Sequence, residues 1–151
     1  MKIGCFCMVR NEGMIIPAFL DQISEFFDVS IFLDHSSSDD TPNLIRNYIL
    51  ANQKNNVVKL FHLIGEGQPQ MEVSNFFARK LFKEYDLDYV FLLDCDEFLP
   101  FDNKQGLTNF LKDFKNEEDV IYYKWRNLCP EFLNGNNDIF KNNFFISKRN
   151  E

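Results

Sequence analysis

The sequence predicts an α/β fold, a mostly parallel sheet with helices on both faces. Three observations predict it. Short apolar runs recur along the chain, segments of helical spacing separate them, and polar residues follow the runs where they end. A short apolar run suits a strand buried on both faces, and strands that alternate with helices require right-handed crossovers and parallel pairing.

Residues 2–9 (KIGCFCMV) form the first run, which stops at Arg10, Asn11 and Glu12 and reads as a buried strand. Ile15, Ile16, Phe19, Leu20, Ile23, Phe26 and Phe27 then recur at helical spacing, with Pro17 in the first turn, where proline is tolerated. Residues 29–34 (VSIFLD) are the second strand, followed by the turn-forming HSSSDDT. Thr41 suits an N-cap and Pro42 a first helical position, so a second helix is expected from there to about Lys54. Residues 57–63 (VVKLFHL) read as strand three, IGEGQPQ as a loop, and Met71 to Tyr85 as a third helix. Residues 89–94 (YVFLLD) are a fourth buried strand. Leu107, Phe110, Leu111 and Phe114 mark a short helix, and 120–125 (VIYYKW) a fifth strand. The Asn-rich stretch at 134–138 reads as a loop, and the closing FFISKRNE as one more strand cut short, as in a fragment truncated at its C-terminus.

A chain of 151 residues fits one domain, 1–151. With 16 Lys and Arg against 23 Asp and Glu, its net charge of -7 argues against nucleic acid, whose backbone calls for clustered positive charge. An acidic protein binds an anionic substrate when its carboxylates share a divalent cation with the substrate's phosphates. No apolar run approaches the roughly 20 residues of a membrane span, so no transmembrane segment is expected. The start MKIGCFCMVRNEG lacks a signal peptide's apolar core and cleavage site. The chain reads as cytoplasmic, in solution or peripheral to a membrane. Cys5, Cys7, Cys95 and Cys129 form neither a CxxC pair nor a zinc ligand set and read as buried free thiols.

In open parallel sheets ligands bind beyond the carboxyl ends of the strands. Arg10, Asn11 and Glu12 follow strand one, Asp34, His35, Ser36 and Ser37 strand two, and Asp94, Asp96 and Glu97 strand four. The last is the strongest signal. Side chains alternate along a strand, so Asp94 and Asp96, flanking Cys95, share one side if extended geometry persists to the tip. Two such carboxylates repel unless a cation lies between or beyond them, and hard oxygen ligands favour Mn2+ or Mg2+ over zinc.

Three segments together resemble the GT-A glycosyltransferases of family 2 and their relatives. Val9-Arg10-Asn11-Glu12 looks like the Asn-Glu ending of that family's first strand. The stretch from Phe32 through Asp34, His35 and Ser36 to Thr41 looks like its D-(D/N/H)-G-S-x-D-x-T segment. Leu92-Leu93-Asp94-Cys95-Asp96-Glu97-Phe98 is similar to its hhhD-x-D-E-F form of the DxD motif. The resemblance spans about residues 2–100 and implies a GT-A fold. It further implies metal-dependent transfer of a sugar, with inversion, from a nucleoside-diphosphate donor, UDP-sugars favoured, to a glycan or lipid-linked acceptor. Residues 1–100 would bind the donor and 101–151 form part of the acceptor region. Asp34 would contact the nucleobase or ribose, and Asp94 and Asp96 the ribose and the diphosphate-bound metal. Two departures stand out: His35 occupies a position often acidic in the family, and Ser36 that of the usual glycine.

A cation at Asp94 and Asp96 would stabilise the departing diphosphate as a Lewis acid. Arg10, Arg79 and Lys80 offer charge to the diphosphate, although basic residues on helices are more often solvated. Inversion needs a base, and the candidates downstream are Glu131 and Asp138. Trp125 suits either a sugar-binding face or the core. Two other readings compete: a nucleotide-sugar-binding domain without catalysis, and a phosphatase of the haloacid-dehalogenase type. The latter also places an Asp-x-Asp after a strand, but on its first strand and with Thr or Val where Phe98 stands here.

Overall fold

The computed structural model describes residues 1–52, 56–65, 67, 70–113, 127–130 and 144–147. The chain divides into two compact units, Met1–Phe114 and Lys115–Glu151. In the first, strands β1 (Ile3–Val9), β2 (Val29–Asp34), β3 (Val57–His62) and β4 (Tyr89–Leu92) alternate with helices α1 (Ile16–Phe26), α2 (Thr41–Ala51), α3 (Gln70–Tyr85) and α4 (Lys104–Asp113). The four strands pair in parallel in the order β3-β2-β1-β4, which is the α/β architecture expected from the sequence. In the second unit, β5 (Asn127–Pro130) and β6 (Phe144–Ser147) form an antiparallel pair.

The strand order positions the site. From β1 the chain steps outward to β2 and β3, then returns through α3 to lay β4 on the other side of β1. The connection that leaves β1 for β2 and the one that leaves β3 for β4 therefore run in opposite directions across the sheet, and such a switch point opens a crevice beyond the strand ends.

Alternation along β1 and β2 supplies both faces with core. Phe6, Val29, Ile31 and Leu33 pack with Phe77 and Leu81 of α3 and with Leu87. Phe6 stacks on Phe77 at 5.1 Å between ring centroids. Burying each of these large side chains is worth about 1.5–3 kcal/mol. On the opposite face Phe32 meets Phe19 of α1 edge-on at 6.1 Å. Gly4 leaves room for Leu87, whose Cδ1 would lie 2.4 Å from a Cβ there and would have to shift.

Three local expectations are corrected. The N-cap of α2 is Asp40, not Thr41; Thr41 opens the helix with Pro42 behind it, and its hydroxyl is drawn away to accept the Glu12 N–H at 2.8 Å. That helix ends at Ala51, where Asn52 caps it by donating its N–H to Tyr48 O, and Lys54 lies outside the described residues. Strand four stops at Leu92, two residues short of Asp94. The backbone reverses there, with the Glu97 N–H bonded to Asp94 O at 3.0 Å, so Asp94 opens a turn that contains Asp96, and the two do not alternate along a strand. The fifth strand expected at 120–125, Trp125 and the loop at 134–138 lie outside the described residues, whereas the FFIS of the closing segment is β6.

Candidate active site

The tips of β1 and β2 are tied together by side chains. Asn11 (φ 57°) and Ser36 (φ 56°) both adopt the left-handed conformation. For a residue with a Cβ that costs about 1–2 kcal/mol. Compensation at Asn11 comes from three bonds. Its N–H donates to Ser37 Oγ at 2.9 Å, and its Oδ1 accepts the Ser38 N–H at 2.7 Å and the Ser38 hydroxyl at 3.2 Å. Asp39 continues the join, accepting the N–H of Gly13 at 2.9 Å and that of Thr41 at 3.1 Å. Its carboxyl is held below the usual range, first by the Thr41 hydroxyl. Ser36 thus occupies a conformation in which glycine is the default residue, at the position where the resembling segment carries glycine.

The turn after β4 faces the tip of β1. Burial is the first cause that raises the Asp94 carboxyl, and Asp96 adds to it. Glu97 is pushed up to about 7 by burial, with Asp94 and Asp96 contributing, although the Asp94 N–H, donated to its Oε2 at 3.1 Å, opposes the shift. Glu12 is raised as well, by burial and then by Asp96, Asp39 and Asp94, against a hydrogen bond from the Cys95 thiol. Four carboxyl groups from two elements share one negative field. All four, Glu12, Asp94, Asp96 and Glu97, bring hard oxygen donors. Among the described residues no three metal-binding side chains form a ready-made cage. A Mg2+-type ion does not need one, since it keeps waters and shares phosphate oxygens with its substrate, so one or two carboxylates fit it.

A cleft of about 130 Å³ opens beside this turn, lined by Asp94, Glu97, Leu93, Met8 and, from the first turns of α3, Gln70 and Ser74. Gln70 donates to Asp94 Oδ1 at 3.3 Å. Cys95 is buried beneath the turn, its thiol turned toward Glu12 and Cys7. Cys5, Cys7 and Cys95 are all buried free thiols, and burial pushes those of Cys5 and Cys7 far up.

The other sequence candidates divide. Arg10 is exposed at the β1 tip beside Asn11 and Glu12. Asp34 and His35 are both only 3% exposed. Asp34 turns toward β3, where His62 Nδ1 lies 3.2 Å from Oδ2, while its Oδ1 accepts the Ser37 N–H at 3.3 Å. Ser36 Oγ donates to Leu63 O at 3.0 Å. Arg79 lines a shallow depression along α3 with Phe76, Lys80 and Lys83, not the cleft beside Asp94, and Lys80 pairs with Glu84. Glu131 and Asp138 lie outside the described residues.

Three supporting residues escape sequence reasoning. Gln22 of α1 is buried, donates to Glu97 O at 2.9 Å and accepts the Leu99 N–H at 2.6 Å, clamping the segment behind the turn. Its signal is a polar residue inside an apolar helical stripe. His62 ends a strand at the ligand edge of a parallel sheet, a position that could have marked it, but its bond to Asp34 is made only across the fold. Gln70 stands in a Gly- and Pro-rich stretch and carries no local signal.

No known family's sequence profile matches the chain, and neither does any curated protein sequence. Among solved structures it is similar to the mannosyltransferase PcManGT from Pyrobaculum calidifontis, in complex with GDP-Man and Mn2+, with a TM-score of 0.60 and 19% identity. What the two share is the fold. The match covers 77% of this chain but 33% of that one, so the chain spans about a third of the mannosyltransferase's length. Among the described residues, no helix is long and apolar enough to cross a membrane.

Proposed function

We propose that this chain carries the donor-binding half of a metal-dependent glycosyltransferase site, with the diphosphate of a nucleotide sugar held at the turn after β4. One observation carries the reading. At the switch point of a parallel sheet whose fold is shared with a mannosyltransferase that binds GDP-Man and Mn2+, Asp94 and Asp96 lie in a tight turn against Glu12, where burial first and neighbouring carboxylates second raise three of the four carboxyl groups.

A bound Mn2+ or Mg2+ would supply Lewis-acid stabilisation of the departing diphosphate. Asp96 and Asp94 would hold it, directly or through water, and Glu97 braces the turn by accepting the Asp94 N–H. The nucleoside lies toward the tip of β2, over the segment from Asp34 to Ser38. Arg10, exposed at the β1 tip, offers charge to the diphosphate. A cleft of about 130 Å³ takes only part of a donor, since pockets that enclose a whole ligand are about 300–1,000 Å³. That part is the metal and diphosphate.

UDP-sugars, from the resemblance, and GDP-sugars, from the structural neighbour's ligand, are the donors of choice. The acceptor is a glycan or a lipid-linked sugar. Inversion and membership of family 2 follow from the motif resemblance, as does a base beyond the turn, for which Glu131 and Asp138 are the candidates.

The test is turnover. With Mn2+ and a UDP- or GDP-sugar, the protein should release the nucleoside diphosphate, slowly to water and faster to an acceptor, and Asp96→Ala should stop both. Metal-dependent nucleotide binding without release would make it a binding domain. Phosphate release from simple phosphomonoesters, lost in Asp94→Asn, would make it a phosphatase.

A further inference from the structure

We infer that the start of α3 forms a phosphate-binding wall of the donor site, with Gln70 and Ser74 as the side chains that hydrogen-bond the diphosphate. The inference rests on the donor-site reading above, which puts the metal and diphosphate in the cleft beside Asp94. A diphosphate that enters there meets a negative field. The cation offsets part of it, and the phosphate oxygens that the cation does not hold need donors from the protein. Among the described residues no Lys or Arg lines the cleft. Asp94 and Glu97 bring carboxyl groups, and apart from Gln70 and Ser74 the rest of the lining is apolar. The Gln70 amide and the Ser74 hydroxyl are the side-chain donors that remain.

The helix aims both of them. Gln70 opens α3 and Ser74 follows four positions later, while Phe77 and Leu81 continue the same stripe and pack in the core against the sheet. The stripe that anchors the helix therefore ends over the cleft. Both groups also have capacity to spare. A primary amide nitrogen carries two hydrogens. Gln70 Nε2 spends one on Asp94 Oδ1 at 3.3 Å, which leaves the other for a ligand. The Ser74 hydroxyl is paired with none of the described residues.

The bond to Asp94 gives Gln70 a second task. It orients a carboxylate of the metal site while its remaining N–H faces the anion that the metal brings. A Lys or Arg in the same place would pair with Asp94 and compete with the cation for it. The cations of α3 stand elsewhere, since Arg79, Lys80 and Lys83 line the depression along the outer side of the helix. The diphosphate contact that the sequence assigns to Arg79 and Lys80 thus passes to two neutral donors.

Calorimetric titration of UDP and GDP in the presence of Mn2+ tests this on wild type, Gln70→Ala, Gln70→Glu, Ser74→Ala, Ser74→Thr and Arg79→Ala, with thermal unfolding confirming that each variant is folded. A hydrogen bond to a charged group corresponds to about ten- to a hundredfold in affinity, so Gln70→Ala and Ser74→Ala should each weaken the better-bound nucleotide by about tenfold or more. Gln70→Glu has the same shape without the donor and should lose at least as much as Gln70→Ala. Ser74→Thr, which keeps the hydroxyl, and Arg79→Ala should bind as wild type does. Wild-type affinity in folded Gln70→Ala or Ser74→Ala, a loss in Ser74→Thr equal to that in Ser74→Ala, or a loss of about tenfold in Arg79→Ala overturns the inference and leaves the donor site standing. Binding of neither nucleotide by wild type overturns the donor-site reading and this inference with it.

Discussion

Raising the pH should destabilise the metal-free protein through Glu97. Its carboxyl moves from an ordinary 4.5 to about 7, first because of burial and then because of Asp94 and Asp96. The folded state therefore holds this proton more tightly than the unfolded chain does. The stabilisation is fully present below about 4.5 and is lost as the pH rises through about 7. At roughly 1.36 kcal/mol per pH unit the shift would amount to about 3 kcal/mol, and solvent screening of a partly exposed side chain reduces it to about 1–2 kcal/mol. Glu12 and Asp94, also raised, act in the same direction. Asp39 and Glu84 are lowered, so their contributions change below the ordinary carboxylate range and outside this window. The assay is urea denaturation from about pH 5 to about pH 8 on wild type and Glu97→Gln, which keeps an oxygen for the Asp94 N–H. Wild type should lose about 1–2 kcal/mol more than the variant across that interval, and saturating Mn2+ should remove the difference by favouring the ionised forms. Parallel curves for the two proteins, or stability that rises with pH more steeply in wild type, would refute the reasoning.

Two further substitutions probe the scaffold of the site. Asn11→Ala removes the acceptor for two Ser38 bonds and leaves a methyl-bearing residue at φ 57°. It should cost about 2 kcal/mol in denaturant unfolding, and a loss under a few tenths would mean that the two loops are not held by this side chain. Gln22→Ala strands the Leu99 N–H and Glu97 O behind the metal-binding turn. It should cost about 2 kcal/mol and weaken Mn2+ binding without removing any carboxylate; unchanged Mn2+ affinity would show that the clamp does not set the turn's geometry.

Most of the fold was legible because each element announces itself locally. The run VSIFLD is β2 to the residue, and the stripe of α3 built on Phe77 and Leu81 is the face that packs on the sheet. Arg79, a diphosphate candidate in the sequence, lies two positions beyond Phe77 on the far side of that helix and lines the depression along α3 instead. What could not be read locally was set by distant partners. Thr41 looks like an N-cap until the Glu12 N–H, brought in by β1, claims its hydroxyl and leaves the capping position to Asp40. Asp94 belongs to an apolar run, yet the chain reverses there, where the Asp94 carbonyl accepts the Glu97 N–H. The candidate site shows the same division. Its carboxylates stand out at the strand ends, whereas Gln22, Gln70 and His62 join them only through contacts made across the fold.

The central claim, that Asp94 and Asp96 hold a divalent cation together with a nucleoside diphosphate, is tested most directly by the paramagnetic resonance signal of free Mn2+. Wild-type protein with UDP or GDP should deplete that signal beyond what the nucleotide does alone, and Asp96→Ala should restore it. Undiminished free Mn2+ with wild type, or equal depletion by Asp96→Ala, would contradict the account.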